Sequence, residues 1–110
     1  MATSIEFQEV VQGNWTILKA IGRIDTTNAA VAEKTLLATL DKSKNLALDM
    51  SQLEYTSSAG LRALLRTGKK AKKNKKQFVF CSVSGMVKEI LEDSGTNLLF
   101  QIYDSAAELQ

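Results

Sequence analysis

Residues 46–65 read Leu46-Ala47-Leu48-Asp49-Met50-Ser51-Gln52-Leu53-Glu54-Tyr55-Thr56-Ser57-Ser58-Ala59-Gly60-Leu61-Arg62-Ala63-Leu64-Leu65. The run from Leu46 to Met50 is short and apolar, which suits a strand buried on both faces of a parallel sheet. Leu61, Leu64, Leu65, Gly68 and Ala71 then recur at three-to-four residue spacing, which predicts one face of a helix. The polar residues between them link strand to helix, with Ser57 or Ser58 at the helix entrance. In open α/β sheets, ligands and partners are met at such strand ends.

Working outward, residues 5–11 alternate in the manner of a strand, and Gly13-Asn14 reads as a tight turn. Trp15 to Ile21 completes a hairpin. Gly22-Arg23-Ile24-Asp25 leaves that strand, and Thr26 or Thr27 is expected to cap the next element. Ala29, Ala32, Leu36, Leu37 and Leu40 predict an amphipathic helix. Residues 77–83 read as another buried strand. Met86, Val87, Ile90 and Leu91 predict a third helix, stopped at Asp93-Ser94-Gly95 with Gly95 as its cap. A short strand over 98–103 and a terminal helix through Leu109, entered at Asp104 or Ser105, complete the order β-β-α-β-α-β-α-(β)-α. This is an α/β fold with a mixed sheet of four to five strands, an amino-terminal hairpin, about four helices and right-handed parallel crossovers.

Composition narrows the function. The chain has 110 residues, 45% hydrophobic and 24% charged, with neither Gly/Ser-rich linker nor internal repeat, so one domain over 1–110 is expected. There is no histidine, which removes Ser-His-Asp and Cys-His catalysis and histidine-held metals. No metal site, cofactor or catalytic residue is expected. No apolar run approaches the roughly 18 residues of a membrane span, and the first residues lack the basic and apolar regions of a secretory signal. The lone cysteine, Cys81, lies in the apolar run from Phe78 to Val83 and reads as a buried small residue.

Two readings compete for the serines. A serine at a helix start caps it, worth about 1 kcal/mol. Alternatively it is a phosphorylation site. A phosphate there adds about −1.5 to −2 charge where the dipole favours it, while blocking a docked partner. Asp25 also follows a strand and precedes a helix, and reads either as a turn residue or as a contact on the same surface. Gly60 is expected to permit close packing at the first helical turn. Asp49 reads as a loop hydrogen-bonding residue or as a support of the serine loop.

The segment Leu48-Asp49-Met50-Ser51, continued by Tyr55-Thr56-Ser57-Ser58-Ala59-Gly60-Leu61-Arg62-Ala63-Leu64-Leu65, resembles the signature of STAS domains, specifically bacterial anti-sigma-factor antagonists. Gly22-Arg23-Ile24-Asp25 is similar to the Gly-x-(Leu/Ile)-Asp that ends the second strand in that family. Val87, Leu91, Ser94, Gly95, Leu99-Phe100 and Ile102 resemble its carboxyl-terminal half, so the likeness covers nearly the whole chain. It implies a STAS-like fold and a cytoplasmic, non-enzymatic regulator that works by partner switching. The unphosphorylated antagonist binds an anti-sigma factor, a serine kinase of histidine-kinase-like ATPase fold, and so frees a sigma factor. Phosphorylation by that kinase reverses the binding, and a metal-dependent serine phosphatase restores it. Alignment on Gly60-Leu61 puts the phosphoacceptor on Ser58. Antagonists often carry aspartate just before it, where this chain has Ser57, the alternative acceptor. The implied partner surface is Asp25, Thr56, Ser57, Ser58, Ala59, Gly60 and Arg62. Other readings are an accessory or docking subunit of a membrane transporter complex, never phosphorylated, and a nucleotide sensor. The nucleotide sensor lacks a Walker-type loop here.

Charge is unevenly placed. Residues 1–55 carry five basic and seven acidic side chains, residues 56–110 nine and five, and six lysines crowd into positions 69–76. Lys69, Lys72, Lys73 and Lys76 share one face if the helix continues that far. With no aromatic residues interleaved for base stacking, they read as a solvated helix end favoured by the dipole, or else as a contact to a protein partner, rather than as a nucleic-acid surface. Neither direct nucleic-acid contact nor membrane insertion is expected.

Overall fold

A computed structural model describes residues 4–109. Five strands and three α-helices follow in order: β1 (Ile5–Gln12), β2 (Trp15–Ile24), α1 (Ala29–Lys42), β3 (Asn45–Thr56), α2 (Ser58–Lys73), β4 (Phe78–Cys81), α3 (Gly85–Asp93) and β5 (Ile102–Tyr103). One sheet takes them in sequence, β1-β2-β3-β4-β5. β1 pairs antiparallel with β2 around the Gly13-Asn14 turn, where Gly13 sits at φ 60, and every later pairing is parallel.

Each parallel crossover steps the same way across the sheet, and crossovers of one hand stepping one way lay their helices on one face. Accordingly α1, α2 and α3 share a single core, with Leu36, Leu64, Val87 and Leu91 against Leu18, Leu48, Met50 and Phe80. The alternate residues of the same strands, Trp15, Ile17, Ala47, Val79 and Cys81, form a second cluster on the opposite face, covered by Leu109 with Tyr103 and Ala106 beside it. The period-two alternation of strands divides the two cores.

Several expectations change. The strand predicted over Leu46–Met50 continues to Thr56, because residues 52–56 pair with residues 21–24 of β2 in parallel register. Those pairings are long-range and skip a residue at two irregularities, which local periodicity does not reveal. Asn28, rather than Thr26 or Thr27, stands at the amino terminus of α1. The last strand shrinks to two residues behind a 3-10 turn at Thr96–Leu98, and the fourth helix is a single 3-10 turn at Ala106–Glu108. Finally, the buried stripe of α2 is Gly60, Ala63, Leu64, Thr67 and Ala71, with Leu61, Leu65 and Gly68 only half-buried beside it. Small residues make that stripe, so hydropathy alone reads it turned toward the leucines. Gly95 does stand just past α3 at φ 75, as its cap position requires.

Candidate functional site

The parallel pairing of β2 with β3 ends at Ile24 opposite Thr56, and the Ser57 N–H donates to the Ile24 carbonyl at 2.9 Å. Two strand ends therefore deliver Asp25 and Ser57 side by side at one pole of the molecule. Past each, a helix begins.

The two serines have different surroundings. Ser57 is extended (φ −82, ψ 174), and its Oγ accepts the Gly60 N–H at 3.2 Å while its carbonyl accepts the Leu61 N–H. It is the N-cap of α2. Ser58 is the first helical residue; it is exposed, and its hydroxyl has no hydrogen-bond partner among the described residues. The N–H groups of Ser58 and Ala59 lie within the first turn, where no intrahelical acceptor exists. Arg62 is exposed four residues on, the spacing that brings two helical side chains together on one face.

Gly60 holds this end of α2 against the sheet. A Cβ built on it would lie 2.1 Å from Thr56 Oγ1 and 2.8 Å from Ile24 Cγ2, so only glycine lets the first turn approach β2 and β3 this closely. Thr56 is buried beneath it, its Oγ1 donating to the Ser57 carbonyl at 3.3 Å, and Ala59 is half-buried.

Asp25 is half-buried and shapes its own turn. One carboxylate oxygen accepts the Thr27 hydroxyl at 2.6 Å, the Thr27 N–H at 2.9 Å and the Asn28 N–H at 3.2 Å. Asn28 answers: its Oδ1 accepts the Asp25 N–H at 2.8 Å and its Nδ2 donates to the Arg23 carbonyl at 2.9 Å. The reciprocal arrangement resembles a capping box, with an acid and an amide three residues apart. Asn28 was not among the expected site residues, although the Asp-x-x-Asn spacing was there to be read. The exposed Arg23 guanidinium lies 4.6 Å from the ring centre of the half-buried Tyr55, a cation–π pair on the adjoining strand ends that periodicity does not disclose.

Asp49 lies elsewhere. It sits within β3 rather than at its end, accepts the Ser51 N–H at 2.9 Å, and pairs in register with Cys81 on the sheet face away from the helices. Burial, with Asp49 adding to it, pushes the Cys81 thiol up to about 11, the opposite of an activated nucleophile. Among the described residues no cluster of acids and cysteine has the makings of a metal site. Chemically, the pole offers an accessible hydroxyl on a positively polarised helix end.

The chain belongs to the STAS domain family, whose model matches residues 6–109. It is 34% identical over 85 residues to BtrV of Bordetella bronchiseptica, a protein assigned by name to the anti-sigma factor antagonists; the match spans 76% of this chain and 73% of that one. An anti-sigma factor antagonist from Mycobacterium paratuberculosis has a similar fold, with a TM-score of 0.83 at 23% identity, covering 96% of this chain and 90% of that one. So does a sulfate transporter family protein from Wolinella succinogenes, at 0.73 and 18%, covering 89% and 83%. The fold thus serves both regulators and transporters, and the site must discriminate between them.

Proposed function

We propose that this protein is an anti-sigma-factor antagonist switched by phosphorylation of Ser58. Unphosphorylated, it binds an anti-sigma factor that is a serine kinase of histidine-kinase-like ATPase fold, and a sigma factor is released. In the reverse step the Ser58 Oγ attacks the γ-phosphorus of ATP bound to the kinase. The bond to the β-phosphate oxygen breaks, ADP leaves, and the serine proton passes to a base on the kinase. A metal-dependent phosphatase then delivers water to the phosphorus and returns the hydroxyl. The chain itself acts as substrate and ligand, not as an enzyme.

One observation carries this reading: the two serines divide the labour. Ser57 is occupied as the cap, so Ser58 remains as the free, exposed hydroxyl. A phosphate on Ser58 meets unpaired N–H groups, the helix dipole and Arg62 four residues on, so α2 tolerates it. For the partner, the same phosphate adds charge and bulk at the centre of the surface formed by Asp25, Thr56, Ser57, Ser58, Ala59, Gly60 and Arg62.

Incubation with the cognate anti-sigma kinase and ATP is expected to add one phosphoryl group by intact mass. Ser58→Ala abolishes that addition, while Ser57→Ala retains it. Unchanged labelling in Ser58→Ala overturns the site. Failure of the unphosphorylated protein to bind such a kinase overturns the function.

A further inference from the structure

The lysine run lies at the pole opposite Ser58, at the far end of a sixteen-residue helix about 24 Å long. α2 stops at Lys73, and Lys75 turns the chain at φ 59. Lys76 then leaves the row, its Nζ donating to the Leu40 and Asp41 carbonyls at 2.8 and 3.1 Å. Lys69, Lys70, Lys72, Lys73 and Lys75 stay exposed, and none forms an ion pair among the described residues.

Beside them an apolar groove of about 440 Å³ opens between α2 and the loop before β5. Leu65, Gly68, Phe78, Leu99 and Phe100 line it, Lys69 and Lys72 rim it, and no acidic residue takes part. Gly68 makes room for the Phe100 ring, which a Cβ would approach to 2.8 Å, and that ring stacks on Phe80 at 4.4 Å between centres. Anchored there, the loop presents Leu98 and Leu99 to solvent at 82% and 67% exposure. Isolated exposed leucines are ordinary. Two in succession, beside a groove rimmed by the unpaired Lys69 and Lys72, are not explained by packing.

We propose that this pole docks on an anionic phospholipid surface. Lysine clusters are drawn to anionic headgroups, and lasting attachment needs a second, apolar signal, which the leucine pair supplies by entering the interfacial layer. Duplex nucleic acid would use the lysines but not the leucines. Docking in this way turns the Ser58 pole toward the aqueous side, where soluble partners reach it.

The 110-residue protein is sedimented with vesicles of phosphatidylcholine alone, or of phosphatidylcholine containing one-third phosphatidylglycerol, at physiological salt. Binding is expected only to the phosphatidylglycerol vesicles and is lost at high salt. The variant K69E/K72E/K73E is expected to bind at least ~100-fold more weakly, and L98S/L99S about tenfold more weakly. All five positions are exposed, and circular dichroism checks that both variants fold. Wild-type protein left in the supernatant with phosphatidylglycerol overturns the proposal, as it would if the patch served an acidic protein instead. An undiminished L98S/L99S variant, or tighter binding to duplex DNA than to the vesicles, overturns it equally.

Discussion

Ser57, Ser58 and Gly60 stand within four positions and are expected to respond differently to substitution. Ser57→Ala removes a helix cap and should lower unfolding free energy by about 1 kcal/mol, read from urea denaturation. Ser58→Ala touches no contact and should stay within roughly 0.5 kcal/mol of wild type. Gly60→Ala drives a methyl into Thr56 and Ile24, at a cost of about 1–3 kcal/mol. Should Gly60→Ala unfold at the wild-type urea concentration, the close approach of α2 to the strand ends is wrong. Cys81 supplies a pH test. Its folded pKa is raised to about 11 from 9.0, so the folded state prefers the neutral thiol. The associated stability is fully present below pH 9 and is lost as pH rises toward 11. Other groups titrate in that range, so the readout is a difference: Cys81→Ala should lose less stability between those limits than wild type.

At the scale of elements, the carboxyl end of α2 is closed by a non-glycine residue in the left-handed region. The Lys76 N–H donates to the Ala71 carbonyl and the Lys75 N–H to the Lys72 carbonyl, a Schellman pattern with Lys75 at the position glycine favours. Lys75→Gly should therefore raise stability by about 1 kcal/mol, visible as a higher thermal midpoint; a lower midpoint would contradict the assigned turn. Lys76→Met should have the opposite effect, because it strips the ammonium from the two carbonyls at the end of α1, costing about 1 kcal/mol. These elements also show what a sequence discloses. The hairpin, the parallel strands and the three helices carry their own periodicity and were legible. The extension of β3 to Thr56 was not, because its pairing partners lie some thirty residues away on β2. The serine cap was legible as a residue type, but its assignment to Ser57 rather than Ser58 needed the backbone. The small-residue stripe of α2 was hidden because glycine, alanine and threonine carry little hydropathy while permitting the closest packing.

For the molecule as a whole, the sheet separates two ends with different chemistry: serines, Asp25 and Arg62 at one, unpaired lysines and exposed leucines at the other. An ion pair between Arg66 and Glu33 at 3.0 Å joins α1 and α2 between them, but as an exposed pair it contributes little. The helical side holds most of the buried apolar residues. The reverse side rests on a short carboxyl-terminal strap: Leu109 packs on the sheet, and Gln12 Nε2 donates to the Ala106 carbonyl at 3.0 Å. The only tryptophan, Trp15, lies under that strap. Few contacts hold such a segment, and weakly held segments open before the global transition. Indole fluorescence is thus a reporter of one side of the sheet. On gradual addition of urea, its red shift should precede the loss of helical circular dichroism, and Leu109→Ala should widen the gap between the two curves.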